Sequence, residues 1–420
     1  MPPGFHLLIA AQFASALADN ALLIVTIALL QQQGLAGWWA PLLKFSFTSA
    51  YVVLAPFVGP LADALPKARL MAWMNAVKVF GVLALLAGAH PVAAFALVGI
   101  GAAAYAPAKY GLITELVGAQ RLVAANGWLE VSVVCAALLG AALGGVLVSP
   151  WLLGSALVAA GTRLLEAATA IGATPLSVSL AALVLVYASA GVLNIGVPAS
   201  GARYPASRIH PLALIRDFRR ANRTLWRDGD GGLSLAVTTL FWGVGATLQF
   251  AVLCWAADVL QLPLDRSAYL QAAVAVGVIV GATAAGRWVP LAAAKRMLAA
   301  GVALGLLMAL VASTTTLVLA IPLLVLVGAV GGLLVVPLNA LLQHRGCQLL
   351  SAGRSVAVQG FNENASVLGM LAVYAALVAL DVPIVGLMWG FGGAIAIAMA
   401  LLIGRERALR RCVVPGVLQT

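Results

Sequence analysis

Along this chain apolar residues do not alternate as in a half-buried strand. They run in blocks of about 20, separated by short gaps rich in Gly, Pro and charge. Each block is long enough to cross a hydrocarbon layer as a helix. The pattern predicts spans near residues 7–32, 41–62, 70–89, 92–114, 122–148 and 177–199, and a second set near 233–257, 267–289, 297–317, 319–342, 355–380 and 383–404. Between the sets, 201–232 is the one long polar stretch. Trp151 to Ala173 is apolar enough to imitate a further span, but a crossing there would put Arg163 and Glu166 in hydrocarbon and move the polar stretch to the other side. It reads as a periplasmic insertion lying along the surface.

The two sets are copies of one ancestral unit. Arg121-Leu-Val-Ala-Ala-Asn126-Gly127-Trp128-Leu-Glu130 matches Arg354-Ser-Val-Ala-Val-Gln359-Gly360-Phe361-Asn-Glu363 at a constant offset of 233, and in each copy a glycine stands six residues before a proline, Gly101 with Pro107 and Gly331 with Pro337. The prolines interrupt spans four and ten. The expected domains are therefore a six-helix half over 1–200 carrying the 151–173 insertion, a linker over 201–232, a six-helix half over 233–404 and a tail over 405–420.

Composition changes little in this reading. The chain is 63% hydrophobic and 9% charged, and abundant Gly and Ala favour close helix packing over a barrel. The net charge of +11 would suggest nucleic acid in a soluble protein. Its placement argues otherwise: about 19 of the 24 Lys and Arg fall on one side of the predicted spans, with Arg163 and Arg266 on the other. The bias puts both termini and the linker in the cytoplasm of a multi-pass protein and excludes nucleic acid as a partner. The linker is basic, and Leu212 to Trp226 within it can form an amphipathic helix on the inner leaflet. Cys135, Cys254, Cys347 and Cys412 show no metal spacing, so free thiols and no metal or cofactor are expected. The first block shows no signal-peptide cleavage pattern.

Charge inside the spans is costly and marks function or pairing. The intramembrane ionisable residues are Asp19, Lys78, Lys109, Glu130 and Glu363, with Lys44 near the outer end of span two. Structural pairs among them would neutralise the charges. Asp19, beside Asn20, matches the neutral Thr247 in the second set, with Gln249 two residues on, so the duplication supplies no counter-charge there. Glu363 is flanked by Asn362 and Asn364. The candidate substrate-binding set is Asp19, Asn20, Lys78, Lys109, Glu130, Gln249, Asn362, Glu363 and Asn364. Between spans two and three, Gly59-Pro-Leu-Ala-Asp63-Ala-Leu-Pro66-Lys67-Ala-Arg69 is a short turn with one acid and two cations at a helix end, suited to a conformational latch. Its echo from Gly281 to Arg296 has lost the acid. Gly140, Gly144 and Gly145 on span five form a small-residue face for close helix approach.

The Gly-x-Leu-Ala-Asp core, twelve spans and a central basic loop resemble the major facilitator superfamily; Ala64 and Pro66 depart from its loop signature. AQFASALADNALL on span one, YAPAKYG followed by Glu115, the VAANGWLE run, VVPLNALLQHRG from Val335 and AVQGFNENAS from Ala357 look like the bacterial lysophospholipid transporter family. The resemblance implies an all-α major facilitator fold of two pseudo-symmetric six-helix halves in the bacterial inner membrane. It implies a flippase returning lysophospholipid, notably lysophosphatidylethanolamine, to the cytoplasmic leaflet, with an acyltransferase–acyl-carrier-protein synthetase as partner for reacylation. On that reading Asp19 and Glu363 face an ammonium, while Lys78 or Lys109 with Asn20 and Gln249 face a phosphate. Gln249 stands where the family leads one to expect a base.

Two other readings are weighed against this. A proton-coupled exporter of drugs or amphiphiles would share the fold. An integral-membrane lipid enzyme is disfavoured, because none of His6, His90, His210 and His344 has an aspartate four residues on, and no Gly-x-Ser-x-Gly elbow occurs.

Overall fold

A computed structural model describes residues 1–35, 39–169, 172–202, 204, 210–262 and 264–413. Arg203, Arg208, the side chains of Arg266 and Cys412, and the tail beyond residue 413 lie outside the described residues. Helices α1 (Pro3–Gln32), α2 (Trp39–Ala64), α3 (Lys67–Leu86), α4 (Pro91–Leu116), α5 (Leu122–Leu147), α6 (Pro150–Leu153), α7 (Ala156–Thr169) and α8 (Pro175–Ile195) precede the linker helix α9 (Pro211–Arg227). They are followed by α10 (Gly229–Asp258), α11 (Leu264–Trp288), α12 (Leu298–Ala312), α13 (Leu317–Leu349), α14 (Ala352–Ala379) and α15 (Ile384–Val413). Among the described residues twelve helices are long and apolar enough to cross a membrane, one for each expected span. The chain is an all-α, multi-pass membrane protein.

Local sequence sets many of the helix ends. Pro stands in the first turn of α1, α4, α6 and α8, where its missing N–H costs nothing. The His90 ring accepts from the Val92 N–H at 3.3 Å, the Ser149 hydroxyl from Leu152 at 3.3 Å, and the Asp228 carboxylate from Gly231 at 2.8 Å. Pro107 and Pro337, read from the sequence as interruptions of spans four and ten, lie inside helices. The α4 and α13 assignments run through them. In the 151–173 stretch α6 has 4 residues and α7 has 14, too short to span, so this stretch stays out of the crossing count.

The chain divides into two compact units. The first holds 1–118, 132–225 and 343–365; the second holds 119–131, 226–342 and 366–420. The duplicated stretches are thus shared out crosswise: Arg121–Glu130 belongs with later helices, and Arg354–Glu363 with earlier ones. In the first unit α2 and α3 pack on α4, and α1 and α3 on α8. Its apolar core comprises Leu22 and Val25 of α1, Leu43 of α2, Val82 of α3, Phe95 and Val98 of α4, and Leu183 and Tyr187 of α8.

The small-residue face of α5 meets α1 in this unit. A methyl added at Gly144 would come within 2.8 Å of Ile24 Cβ, and one at Gly140 within 2.8 Å of Asn20 Cβ. Close approach of α5 therefore flanks the Asp19–Asn20 turn of α1. The second unit has its own core, with Val237 and Val244 of α10, Met308 of α12, Leu338 of α13 and Phe391 and Met399 of α15.

The linker helix departs from expectation. Its arginines Arg216, Arg219, Arg220, Arg223 and Arg227 are exposed, but its opposite face covers protein in the first unit. Phe218 meets Phe361 edge-on at 5.3 Å, Asn362 Nδ2 donates to Asn222 Oδ1 at 2.9 Å, and Ala221 and Leu225 are buried. An amphipathic helix can spend its apolar face on lipid or on a neighbouring helix, and here neighbours α2 and α14 take it.

Candidate functional site

Two polar centres are built inside the first unit. The deeper one surrounds Asp19, past the middle of α1. Lys78 of α3 reaches it with Nζ 2.7 Å from Oδ2 and 2.8 Å from Oδ1, and donates to Ser15 Oγ at 3.0 Å. Tyr187 of α8 donates its hydroxyl to Asp19 Oδ1 at 2.7 Å. Ser15, one turn before Asp19, donates to Asn75 Oδ1 at 2.7 Å. The Tyr105 and Tyr187 rings lie 5.4 and 5.5 Å from the ammonium. Lys78 is buried to 1% exposure, a position that an ammonium occupies only with full compensation. The counter-charge that duplication did not offer Asp19 thus comes from a neighbouring helix of the same unit.

This pair lines a cavity of about 300 Å³. Its wall carries Gln12, Asp19 and Asn20 of α1, Lys44, Phe47 and Tyr51 of α2, Lys78 of α3 and Tyr105 and Lys109 of α4. Asp19, Asn20, Lys78 and Lys109 of the expected set are therefore brought together. Asn20 turns its amide onto its own helix, at 2.8 Å from the Ala16 carbonyl. Lys109 stacks on Tyr110 at 4.5 Å.

The other expected residues lie elsewhere. Glu130 and Gln249 belong to the second unit; Glu130 is buried, and the Gln249 carbonyl accepts from Gln271 at 2.7 Å. Glu363 accepts from Gln359 at 2.8 Å, Asn362 joins the linker helix, and Asn364 bonds the Gly360 carbonyl at 2.8 Å. Sequence reasoning left Ser15, Lys44, Tyr51, Tyr105 and Tyr187 out of the set. Ser15 was legible as the residue one turn from Asp19, and Lys44 as an intramembrane charge. The tyrosines carried no signal, because Tyr is ordinary in a span.

The second centre gathers Gly59, Asp63 and Lys67 of the turn between α2 and α3. Asp63 ends α2 and accepts from the Gly353 N–H at 2.9 Å and from the Ser351 hydroxyl, so it caps the start of α14. Lys67, buried to 6% exposure, lies 3.9 Å from Asp63 and 2.6 Å from Glu115 of α4. Glu115 also accepts from Ser200 Oγ and, at 2.8 Å, from Tyr204 Oη, whose ring lies 4.8 Å from the Lys67 ammonium. Desolvation, then the hydrogen bond and charge of Glu115, push the Tyr204 phenol well above its ordinary pKa, so it remains a donor.

Gly59 permits this contact. A Cβ there would sit 3.0 Å from Arg354 Cα, and one on Gly353 would sit 2.6 Å from the Gly59 carbonyl oxygen. Arg69 is exposed and stands outside the cluster. The echo in the second unit is not acid-free in space: Lys295 pairs with Glu406 at 2.8 Å and with Asp230.

Comparison with known proteins agrees with this architecture. The family model described as Major Facilitator Superfamily matches residues 8–373. A protein of Citrobacter koseri named lysophospholipid transporter LplT is 41% identical over 400 residues, 95% of this chain and 94% of that protein. A protein of the same name from Escherichia coli is 40% identical over 400 residues, 95% of each. Among solved structures, the human organic anion transporter TETRAN superposes with a TM-score of 0.73 at 15% identity, covering 96% of this chain and 100% of that one. A bacterial homologue of the iron transporter ferroportin gives 0.69 at 15%, covering 97% and 100%. The solved structures speak for the fold alone; the curated relatives speak for the family. The chain is a transporter rather than an enzyme, and it belongs to the bacterial lysophospholipid transporter family of the major facilitator superfamily.

Proposed function

We propose that the protein moves lysophospholipids across the bacterial inner membrane by alternating access, taking chiefly lysophosphatidylethanolamine from the outer to the inner leaflet. The observation that carries this reading is a buried Asp19–Lys78 pair lining a cavity, in a chain 41% identical to a protein named lysophospholipid transporter. A zwitterionic headgroup can exchange partners with such a pair. Its ammonium takes the Asp19 carboxylate and its phosphate takes the released Lys78, so two ion pairs replace one and the cavity gains no net charge. Asn20 and Lys109 supply further donors, and the aromatic wall accommodates the ammonium and glycerol.

In this scheme the Asp63–Lys67–Glu115 cluster, with Gly59 beneath it and without Arg69, acts as the latch for one state. Gln249, Glu130 and the Asn362–Asn364 cluster serve later contacts along the path. Both termini and the basic linker face the cytoplasm, where an acyltransferase–acyl-carrier-protein synthetase receives the product.

Reconstitution in vesicles tests the reading, with fluorescent lysophosphatidylethanolamine followed between leaflets. We expect transfer that Asp19→Asn and Lys78→Gln each abolish at normal expression. Transfer by both variants at the original rate would remove the pair from the site. A wild type that moves cationic drugs but no lysolipid, and only under a proton gradient, would replace this reading with export.

A further inference from the structure

Once the Asp19–Lys78 pair is formed, Lys44 is left on the cavity wall without a counter-charge among the described residues. Among the described residues Asp19 is the only carboxylate on that wall, and Lys78 with Tyr187 already occupies it. Lys78 in turn spends its donors on both Asp19 oxygens and Ser15. Two further cations, Lys44 and Lys109, line the same cavity. Lys44 makes no hydrogen bond or ion pair among the described residues.

Its placement follows from helical spacing. Lys44, Phe47 and Tyr51 stand at i, i+3 and i+7 of α2, one stripe of that helix, and all three line the cavity. Lys44 lies near the beginning of α2, with Asp63 of the latch at its other end, so the cavity extends from the Asp19 pair toward the helix end away from the latch. Lys44 is exposed where it borders the cavity and has no counter-ion there, since Asp19 is already paired, an arrangement that favours capture of an anion.

We infer that Lys44 is the headgroup-phosphate contact of the cavity, holding a lysolipid phosphodiester before or without exchange at the Asp19–Lys78 pair. The inference rests on the lysophospholipid reading. It also extends that reading to lysolipids whose headgroup carries no ammonium, because such a headgroup cannot satisfy Asp19 but can neutralise Lys44. The competing role is a snorkelling lysine that anchors the end of α2 at the membrane interface.

The test compares oleoyl-lysophosphatidylglycerol with mono-oleoylglycerol, the same acyl chain without the phosphate, in proteoliposomes of wild type, Lys44→Gln and Lys44→Arg. For the phosphate-bearing lipid the half-saturation concentration in Lys44→Gln should rise about tenfold. The maximal rate should be retained, Lys44→Arg should stay near wild type, and mono-oleoylglycerol should be handled alike by all three. Unchanged half-saturation in Lys44→Gln, or an equal loss for mono-oleoylglycerol, would overturn the inference in favour of anchoring.

A second measurement separates this inference from the transport reading. Glycerol 3-phosphate should raise the unfolding temperature of detergent-purified wild type and not that of Lys44→Gln. If wild type carries no lysolipid yet shows this difference, the transport reading fails and the anion site stands. If the two proteins respond alike, the anion site fails.

Discussion

Each unit holds one lysine between two carboxylates, yet the two are set differently. In the first, Lys67 is all but buried, and its partners Asp63 and Glu115 also gather Ser351, Gly353, Ser200 and Tyr204, drawing α2, α4, the start of α14 and the linker into one cluster. In the second, Lys295 keeps 21% side-chain exposure and ties Asp230 at the start of α10 to Glu406 of α15, with solvent reaching all three. One ancestral turn has thus kept its cation in both copies and its acid in one. The second copy recruited carboxylates from other helices. The comparison teaches that a charge motif can decay in sequence while its pairing survives in space, and that burial separates the two ties: dry charges depend on one another far more than wet ones.

The largest expected effect breaks the dry cluster. Lys67→Met leaves Glu115 and Asp63 without the ammonium between them, and loss of a buried partner costs about 3–5 kcal/mol. Thermal unfolding in detergent should show a large fall in midpoint, and adding Glu115→Gln should recover part of it. A Lys67→Met protein as stable as wild type would show that the cluster is solvated in the working protein.

Next in size is the glycine contact beneath the same cluster. Gly353→Ala places a methyl 2.6 Å from the Gly59 carbonyl oxygen and 2.7 Å from Asp63 Oδ1, so the start of α14 must shift away. Overpacking of this kind costs about 1–3 kcal/mol. Because the shift strains the proposed latched arrangement, transport rate should change more than stability. Gly360→Ala on the same helix, where an added methyl meets nothing within 4 Å, is the matched control and should behave as wild type.

How much of this was legible beforehand depends on the range of the interaction. Spans are local and long, so hydropathy located all twelve, and the charge of Arg163 and Glu166 kept α7 out of the count. Asp19 and Lys78 declared themselves as ions in hydrocarbon. Their pairing did not, since it depends on α1 and α3 facing each other across 59 residues of sequence. Asp63 and Lys67 were visible as a turn motif. Ser351 is an ordinary residue 288 positions away, and only the packing of α14 makes it a partner. The linker helix was readable as amphipathic, but amphipathicity does not distinguish a lipid surface from the flank of α2.

The smallest effect lies at the wetter lysine, and it calibrates the comparison. Lys295→Met removes an ammonium whose partners Asp230 and Glu406 remain 40% and 12% exposed, so water can take over much of the solvation. Partly exposed pairs are worth about 1 kcal/mol or less, and salt screens them. A double-mutant cycle between Lys295→Met and Glu406→Gln should return a coupling of about that size, shrinking as salt is raised from low to molar concentration. The Lys67 and Glu115 cycle should be several times larger and nearly indifferent to salt. The ratio of the two couplings carries the argument: if they are equal, burial does not separate the clusters, and the first unit's lysine has no better claim to be a latch than the second's.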